Sequence, residues 1–264
     1  MRIDGLDIRV RLGNRDILHG IDFRAEAGEV TMIVGPNGSG KTTLVRALTG
    51  DLAFTGSVSI NGRDIRALKP WRMAAMRAVL PQETALAFPF TVGEIVRIGI
   101  ESGEGGAAVR DRQAGRVREA LEMVDLAGFA GRFYQELSGG ERQRVQLARV
   151  LCQIWEPAGA DGPRWLFLDE PVSSLDIRHQ LSIMDLARDF ASRGGGVVAV
   201  MHDLNLTAMY GDRVAVVSNG RIAAFGPPGE VLEDRVLSRV FGCALRVGVV
   251  PRNGAFILPQ SAVS

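Results

Sequence analysis

With 264 residues, 46% of them hydrophobic, the chain is long enough for one large α/β domain or two small ones around a sizeable core. Its 31 Lys and Arg stand against 30 Asp and Glu, a net charge of +1, which supplies no field directed at nucleic acid or an anionic membrane surface. Cys152 and Cys243 lie far apart and outside any CxxC pattern, which argues against a disulfide scaffold and fits reduced thiols in a cytoplasmic protein.

The opening residues, Met1-Arg2-Ile3-Asp4-Gly5-Leu6-Asp7, are charged too early to form the apolar core of a secretory signal, so the mature chain is expected to start near residue one. Leu6-Asp7-Ile8-Arg9-Val10 and Ile21-Asp22-Phe23-Arg24-Ala25 alternate apolar and polar residues, the period of half-buried antiparallel strands. The apolar run Val30–Val34 then leads into Gly35-Pro36-Asn37-Gly38-Ser39-Gly40-Lys41-Thr42 and a helical stretch beginning at Thr43, in the order strand, glycine loop, helix. That is a phosphate-binding P-loop. Its glycines let successive N–H groups point inward, and the helix N-terminus adds partial positive charge where phosphates would sit. Lys41 is placed to reach the β and γ phosphates, and Thr42 offers a hydroxyl to the magnesium ion that accompanies them.

Gly56-Ser57-Val58-Ser59-Ile60-Asn61-Gly62 suggests a further strand pair. From about Phe90 to Ala130, Val92, Ile95 and Val96, then Val117, Ala120, Leu121 and Val124, recur three and four apart, which predicts an inserted helical subdomain with a flexible glycine linker over Glu101–Ala108. Trp165–Leu168 and Val197–Val200 are continuous apolar runs, as expected of strands buried on both faces of a largely parallel sheet, and Val214–Val217 reads as one more. None of these runs approaches the roughly 20 apolar residues that span a bilayer. Towards the C-terminus, Val236, Leu237 and Val240 have helical spacing, and a strand is expected at Ala255-Phe256-Ile257-Leu258.

The buried run ending in Asp169-Glu170 is a Walker B pattern: Asp169 is placed to hold magnesium through water, and Glu170 to polarise a water for in-line attack on a γ phosphate. Taken alone, the same pair also fits a loop or N-cap. Ser138-Gly139-Gly140 precedes a helix whose buried face is marked by Val145, Leu147, Ala148 and Leu151, and a helix N-terminus with a hydroxyl and two glycines is a second phosphate site. One chain can expose the two sites on its sheet and on its helical insertion, and two chains facing head to tail would bring them together.

Leu137-Ser138-Gly139-Gly140-Glu141 is similar to the signature motif of ATP-binding cassette (ABC) ATPases. Gln82 in Leu80-Pro81-Gln82 resembles that family's Q-loop glutamine, Ser173-Ser174-Leu175-Asp176 its D-loop, and His202 its switch histidine, so five motifs occur in the family's order between about Leu6 and Phe241. The resemblance implies a P-loop NTPase of the ABC type: an α/β cassette with a mainly parallel core sheet, an antiparallel β subdomain and an inserted helical subdomain. It implies one ABC ATPase domain, with a catalytic core at about 1–89 and 146–241, the helical subdomain at about 90–145 and a C-terminal extension at 242–264. ATP, with Mg2+, is expected between the P-loop of one subunit (Gly35 to Thr43) and Ser138, Gly139 and Gly140 of the other, with Ser174 and Asp176 at the dimer contact. Glu170 and His202 are the expected catalytic pair. Gln82 joins them on magnesium and water, while Glu83–Phe90 would border the groove for a permease helix. His19 and His179 match no catalytic motif and are expected to be structural.

Three departures from the family pattern stand out. Leu12 occupies the position of an aromatic residue that often stacks on adenine, Val172 replaces a frequent threonine, and Glu156–Arg164 is a long segment expected to be a surface loop. A simple P-loop kinase would leave the Ser-Gly-Gly-Glu turn and His202 unexplained. Cassette proteins of translation or DNA repair usually carry a second cassette, a coiled-coil insertion or zinc-binding cysteines, which this sequence lacks. A transport ATPase remains, working as a homodimer with two separate permease subunits at the cytoplasmic face of the inner membrane. Ala78–Gln82, Phe88–Val92, Gln153–Pro157 and Pro163-Arg164-Trp165 look like haem-import ATPases, a group that also includes siderophore and cobalamin importers. The link to a periplasmic haem-binding protein would be indirect, with no nucleic acid bound and no residue of this chain ligating haem iron.

Overall fold

The computed structural model describes residues 1–82, 88–100, 107–251 and 253–262, with the backbone alone for 107–114. The chain runs β1 (Arg2–Leu12), β2 (Arg15–Glu26), β3 (Val30–Val34), α1 (Lys41–Leu48), β4 (Thr55–Ile60), β5 (Arg63–Asp64), α2 (Pro70–Met76) and β6 (Arg77–Leu80). Three helices follow, α3 (Val92–Ile98), α4 (Ala107–Met123) and α5 (Gly139–Gln153), and then β7 (Ala158–Gly159), β8 (Gly162–Pro163) and β9 (Trp165–Asp169). The remainder is α6 (Ile177–Ser192), β10 (Gly196–Val200), α7 (Leu204–Tyr210), β11 (Arg213–Ser218), β12 (Arg221–Gly226), α8 (Pro228–Val231) and α9 (Asp234–Phe241).

The central sheet has the order β12-β11-β3-β10-β9-β6, parallel except for the edge hairpin β11–β12. Every residue of β3, β9 and β10 is buried, which is why these strands read as apolar runs, with Thr31 and the terminal Asp169 as their polar members. Their side chains alternate between two cores. Met32, Leu166, Leu168, Val197 and Ala199 face the core built with α5 and α6, whereas Ile33, Trp165, Phe167, Val198 and Val200 face one shared with α1 and the antiparallel sheet β2-β1-β4-β5. The sheet is therefore sandwiched, with no solvated face to force a polar alternation.

Val92, Ile95 and Val96 of α3 and Val117, Ala120, Leu121 and Val124 are buried as their spacing predicted. The boundary expected near residue 145 falls inside α5, which runs unbroken to Gln153 and carries Val150 and Leu151 into the core. The expected linker lies mostly outside the described residues, as do residues 83–87 of the expected permease groove. Ala255–Leu258 is not a strand: it has no ladder partner among the described residues, and a 3-10 turn at Pro259–Ser261 follows, held to α7 by Gln260 Nε2 donating to the Asn205 carbonyl at 3.3 Å. Glu156–Arg164 contains the small hairpin β7–β8. Both cysteines are free, and burial pushes the Cys152 thiol up to about 12, leaving it protonated near neutrality. No helix among the described residues is long and apolar enough to cross a membrane.

Candidate functional site

Loops leaving the carboxyl ends of four neighbouring strands, β3, β10, β9 and β6, meet at one cleft, where parallel sheets offer ligand sites. The cleft holds about 700 Å3, and its walls include Asn37, Gly38, Gly40, Lys41, Thr42 and Thr43 together with Gln82, Glu170 and His202.

The glycine loop must turn inward without side chains in the way. Gly35 has φ 150, and a Cβ there would lie 2.0 Å from the carbonyl oxygen of Val217 on β11. Gly35→Ala is accordingly expected to displace the loop and weaken nucleotide binding at least about fivefold, since such overpacking costs roughly 1–3 kcal/mol. Titration with a fluorescent ATP analogue measures this, and an unchanged affinity would contradict it.

Lys41 is 5% exposed, and its Nζ donates to the carbonyls of Gly35 at 2.9 Å and Pro36 at 3.0 Å. Burial lowers its pKa from the ordinary lysine value, while the carboxylates of Glu170 and Asp169 pull the other way. Ser39 is also buried, and its hydroxyl has no partner among the described residues.

Asp169 is 4% exposed. Burial raises its pKa, the Thr42 hydroxyl donating to Oδ1 at 3.3 Å opposes the shift, and the neighbouring Glu170 adds to it. An added cation would offset that burial penalty. The hydroxyl and carboxylate oxygens of Thr42 and Asp169 are the hard donors that magnesium takes, so the pair fits the ion expected from the sequence.

Glu170 sits in the left-handed region at φ 55. Its N–H donates to the Val200 carbonyl at 3.2 Å, and its own carbonyl accepts from Gln143 Nε2 at 3.0 Å and Ser173 Oγ at 3.2 Å. One carboxylate oxygen accepts from Gln82 Nε2 at 3.0 Å, and the other is in hydrogen-bond contact with Nε2 of His202. Residues 88 and 32 positions away thus hold the two oxygens of one carboxylate.

Ser138, Gly139 and Gly140 do not line this cleft. They stand at the start of α5, where Ser138 and Glu141 form a capping box: Ser138 Oγ accepts from the Glu141 N–H at 3.3 Å, and the Glu141 carboxylate accepts from the Ser138 N–H at 2.7 Å. Ser174 is exposed, and Asp176 caps α6 through the His179 N–H at 3.0 Å. His179 also faces Asp125 at 3.4 Å, a packing position on the helix surface.

Sequence reasoning missed one wall of the cleft, which is formed by Arg15, Asp16, Ile17, His19, Asn219 and Gly220. His19, expected to be merely structural, faces the cavity because β2 is tied to the β11–β12 turn beside the P-loop. The His19 N–H donates to the Gly220 carbonyl at 3.0 Å, and the Gly220 N–H to the Ser39 carbonyl at 2.9 Å. Leu12 does not line the cleft and is 44% exposed at the end of β1. Gln143 lies two residues past the signature stretch Leu137–Glu141, and nothing local marks it as a partner of Glu170.

The family model described as ABC transporter matches residues 18–173. A hemin import ATP-binding protein of Mesorhizobium japonicum is 58% identical over 262 residues, covering 99% of both chains, and one of Rhizobium meliloti is 60% identical over 258 residues, covering 97% of both. Among solved structures, an ATP-binding cassette of an ABC transporter in its ADP conformation superposes with a TM-score of 0.75 at 26% identity, over 91% of this chain and 98% of that one. A dimeric post-hydrolysis cassette bound to ADP and Pi gives 0.75 at 25% identity, over 86% and 98%. With the P-loop, the Asp169-Glu170 strand end and the distal histidine on one cleft, the chain belongs to the ABC transporter family, as an ATP-binding subunit that hydrolyses ATP.

Proposed function

We propose that this chain powers haem import, as one of two identical ATPase subunits that dock on two transmembrane permease subunits at the cytoplasmic face of the inner membrane. The observation that carries the cargo is identity of 58% and 60%, across nearly the whole of both chains, to proteins named for hemin import. A periplasmic haem-binding protein would deliver cargo to the permease. No side chain of this subunit is assigned to haem iron.

In this reading the P-loop amides and Lys41 hold the β and γ phosphates of ATP, and Glu170 is the general base. It takes a proton from a water whose oxygen forms the new bond to the γ phosphorus, while the bond from that phosphorus to the β–γ bridging oxygen breaks and ADP leaves with the electron pair. His202 and Gln82, in contact with the two oxygens of Glu170, orient the carboxylate towards that water. Magnesium, held through Thr42, Gln82 and Asp169, would supply charge neutralisation on the phosphates. Ser138, Gly139 and Gly140 lie away from the chain's own cleft, which supports their acting on the nucleotide of the opposite subunit.

Deleting the gene in its native cell tests the reading. Growth with haem as sole iron source should fail, and growth on ferric salts should persist. Undiminished growth on haem, in a cell with no second haem system, would remove haem as the cargo.

A further inference from the structure

Helix α5 touches two separate pieces of the machinery. Its first residue follows Ser138, and one turn later Gln143 donates its side-chain amide to the Glu170 carbonyl at 3.0 Å. The five-residue step from Ser138 to Gln143 spans about 7.5 Å of rigid helix. Close packing reinforces the link, because a Cβ on Gly140 would lie 3.0 Å from Leu175 Cδ2 and 3.2 Å from the Ser174 carbonyl oxygen. The start of α5 therefore packs against the loop that follows Glu170, at a spacing that suits a glycine and would crowd any larger residue.

The Gln143 amide is used one-sidedly. Its Nε2 is bonded, while its Oε1 is buried with no partner among the described residues, an arrangement that costs stability and that an apolar side chain of the same length would avoid. The bond it does make falls on a peptide held in the left-handed region, where a residue other than glycine persists if its surroundings hold it.

We propose that Gln143 is a positioning residue for hydrolysis. It holds the strained Glu170 backbone, and with it the carboxylate between Gln82 and His202, in register with α5, so that a phosphate arriving at the Ser138 end of α5 sets the geometry of the chain's own base. The inference rests on Glu170 being that base and on Ser138 meeting the nucleotide of the opposite subunit.

Gln143→Met and Gln143→Glu keep the side-chain length and remove the donor. In the full-length chain, both should lower kcat at least about tenfold with KM for ATP held within about twofold, the pattern of an interaction used in the transition state. The Hill coefficient for ATP should fall towards one, and the melting temperature should not drop for the methionine variant. A packing role predicts the reverse, a methionine variant at full turnover. That result, or a rise in KM matching the fall in kcat, would overturn the inference. Glu170→Gln measured in parallel separates the two failures. If it is inactive while Gln143→Met runs at the wild-type rate, the coupling alone is wrong; if it turns over normally, the base assignment falls first.

Discussion

Glu170→Gln should bind ATP with near wild-type affinity and hydrolyse it about 10²–10⁴ times more slowly, the range that a positioned general base contributes. The amide keeps the side-chain length and can still meet Gln82 and His202, so the contacts that hold Glu170 change less than its basicity does. Lys41 and the glycine loop, to which the proposed mechanism gives the phosphates, are untouched. The expected result is a trapped ATP complex that favours the closed dimer. Phosphate release under steady state, beside nucleotide titration, reads both halves, and near-normal hydrolysis by this variant would remove Glu170 as the base.

Ser138→Arg should leave binding at the P-loop within about twofold and reduce turnover at least about 100-fold, the scale on which losing one oriented donor at a developing charge is felt. Ser138 is exposed and does not line the chain's own cleft, so a bulky side chain there has no route to nucleotide bound in the same subunit. Breaking the capping box costs about 1 kcal/mol of helix stability, too little to unfold a domain of this size. Specific activity of the unmodified chain should rise with protein concentration as dimers form. A Ser138→Arg chain that hydrolyses ATP at the wild-type rate, or wild-type activity independent of concentration, would contradict the shared site.

What the sequence showed of the fold follows from burial. β3, β9 and β10 are enclosed between two cores, so each is a mostly apolar run, and the glycine loop and Asp169-Glu170 stand at the carboxyl ends of β3 and β9. The strand pair suggested by Gly56–Gly62 forms as β4 and β5, joined through Asn61 and Gly62, both at positive φ. Ala255–Leu258 misled because apolar β-forming residues do not make a strand without a neighbour to pair with. The wall formed by Arg15, His19 and Gly220 was hidden for a related reason. It depends on hydrogen bonds joining residues about 200 positions apart, such as Arg221 Nη1 to the His19 carbonyl at 3.0 Å, and no local pattern encodes them. Gln143 was hidden likewise, because its partner is a backbone carbonyl 27 residues away whose importance comes from the conformation of Glu170.

The most direct test of the central claim is haem accumulation by sealed vesicles containing the chain and its permease, with haem presented by the binding protein and ATP supplied on the side of the ATPase subunits. ATP-dependent haem uptake that stops with Glu170→Gln, alongside no uptake of a ferric siderophore or cobalamin, is the predicted result. Uptake of one of those cargoes in place of haem would contradict the cargo assignment, and haem uptake that persists with Glu170→Gln would contradict the mechanism.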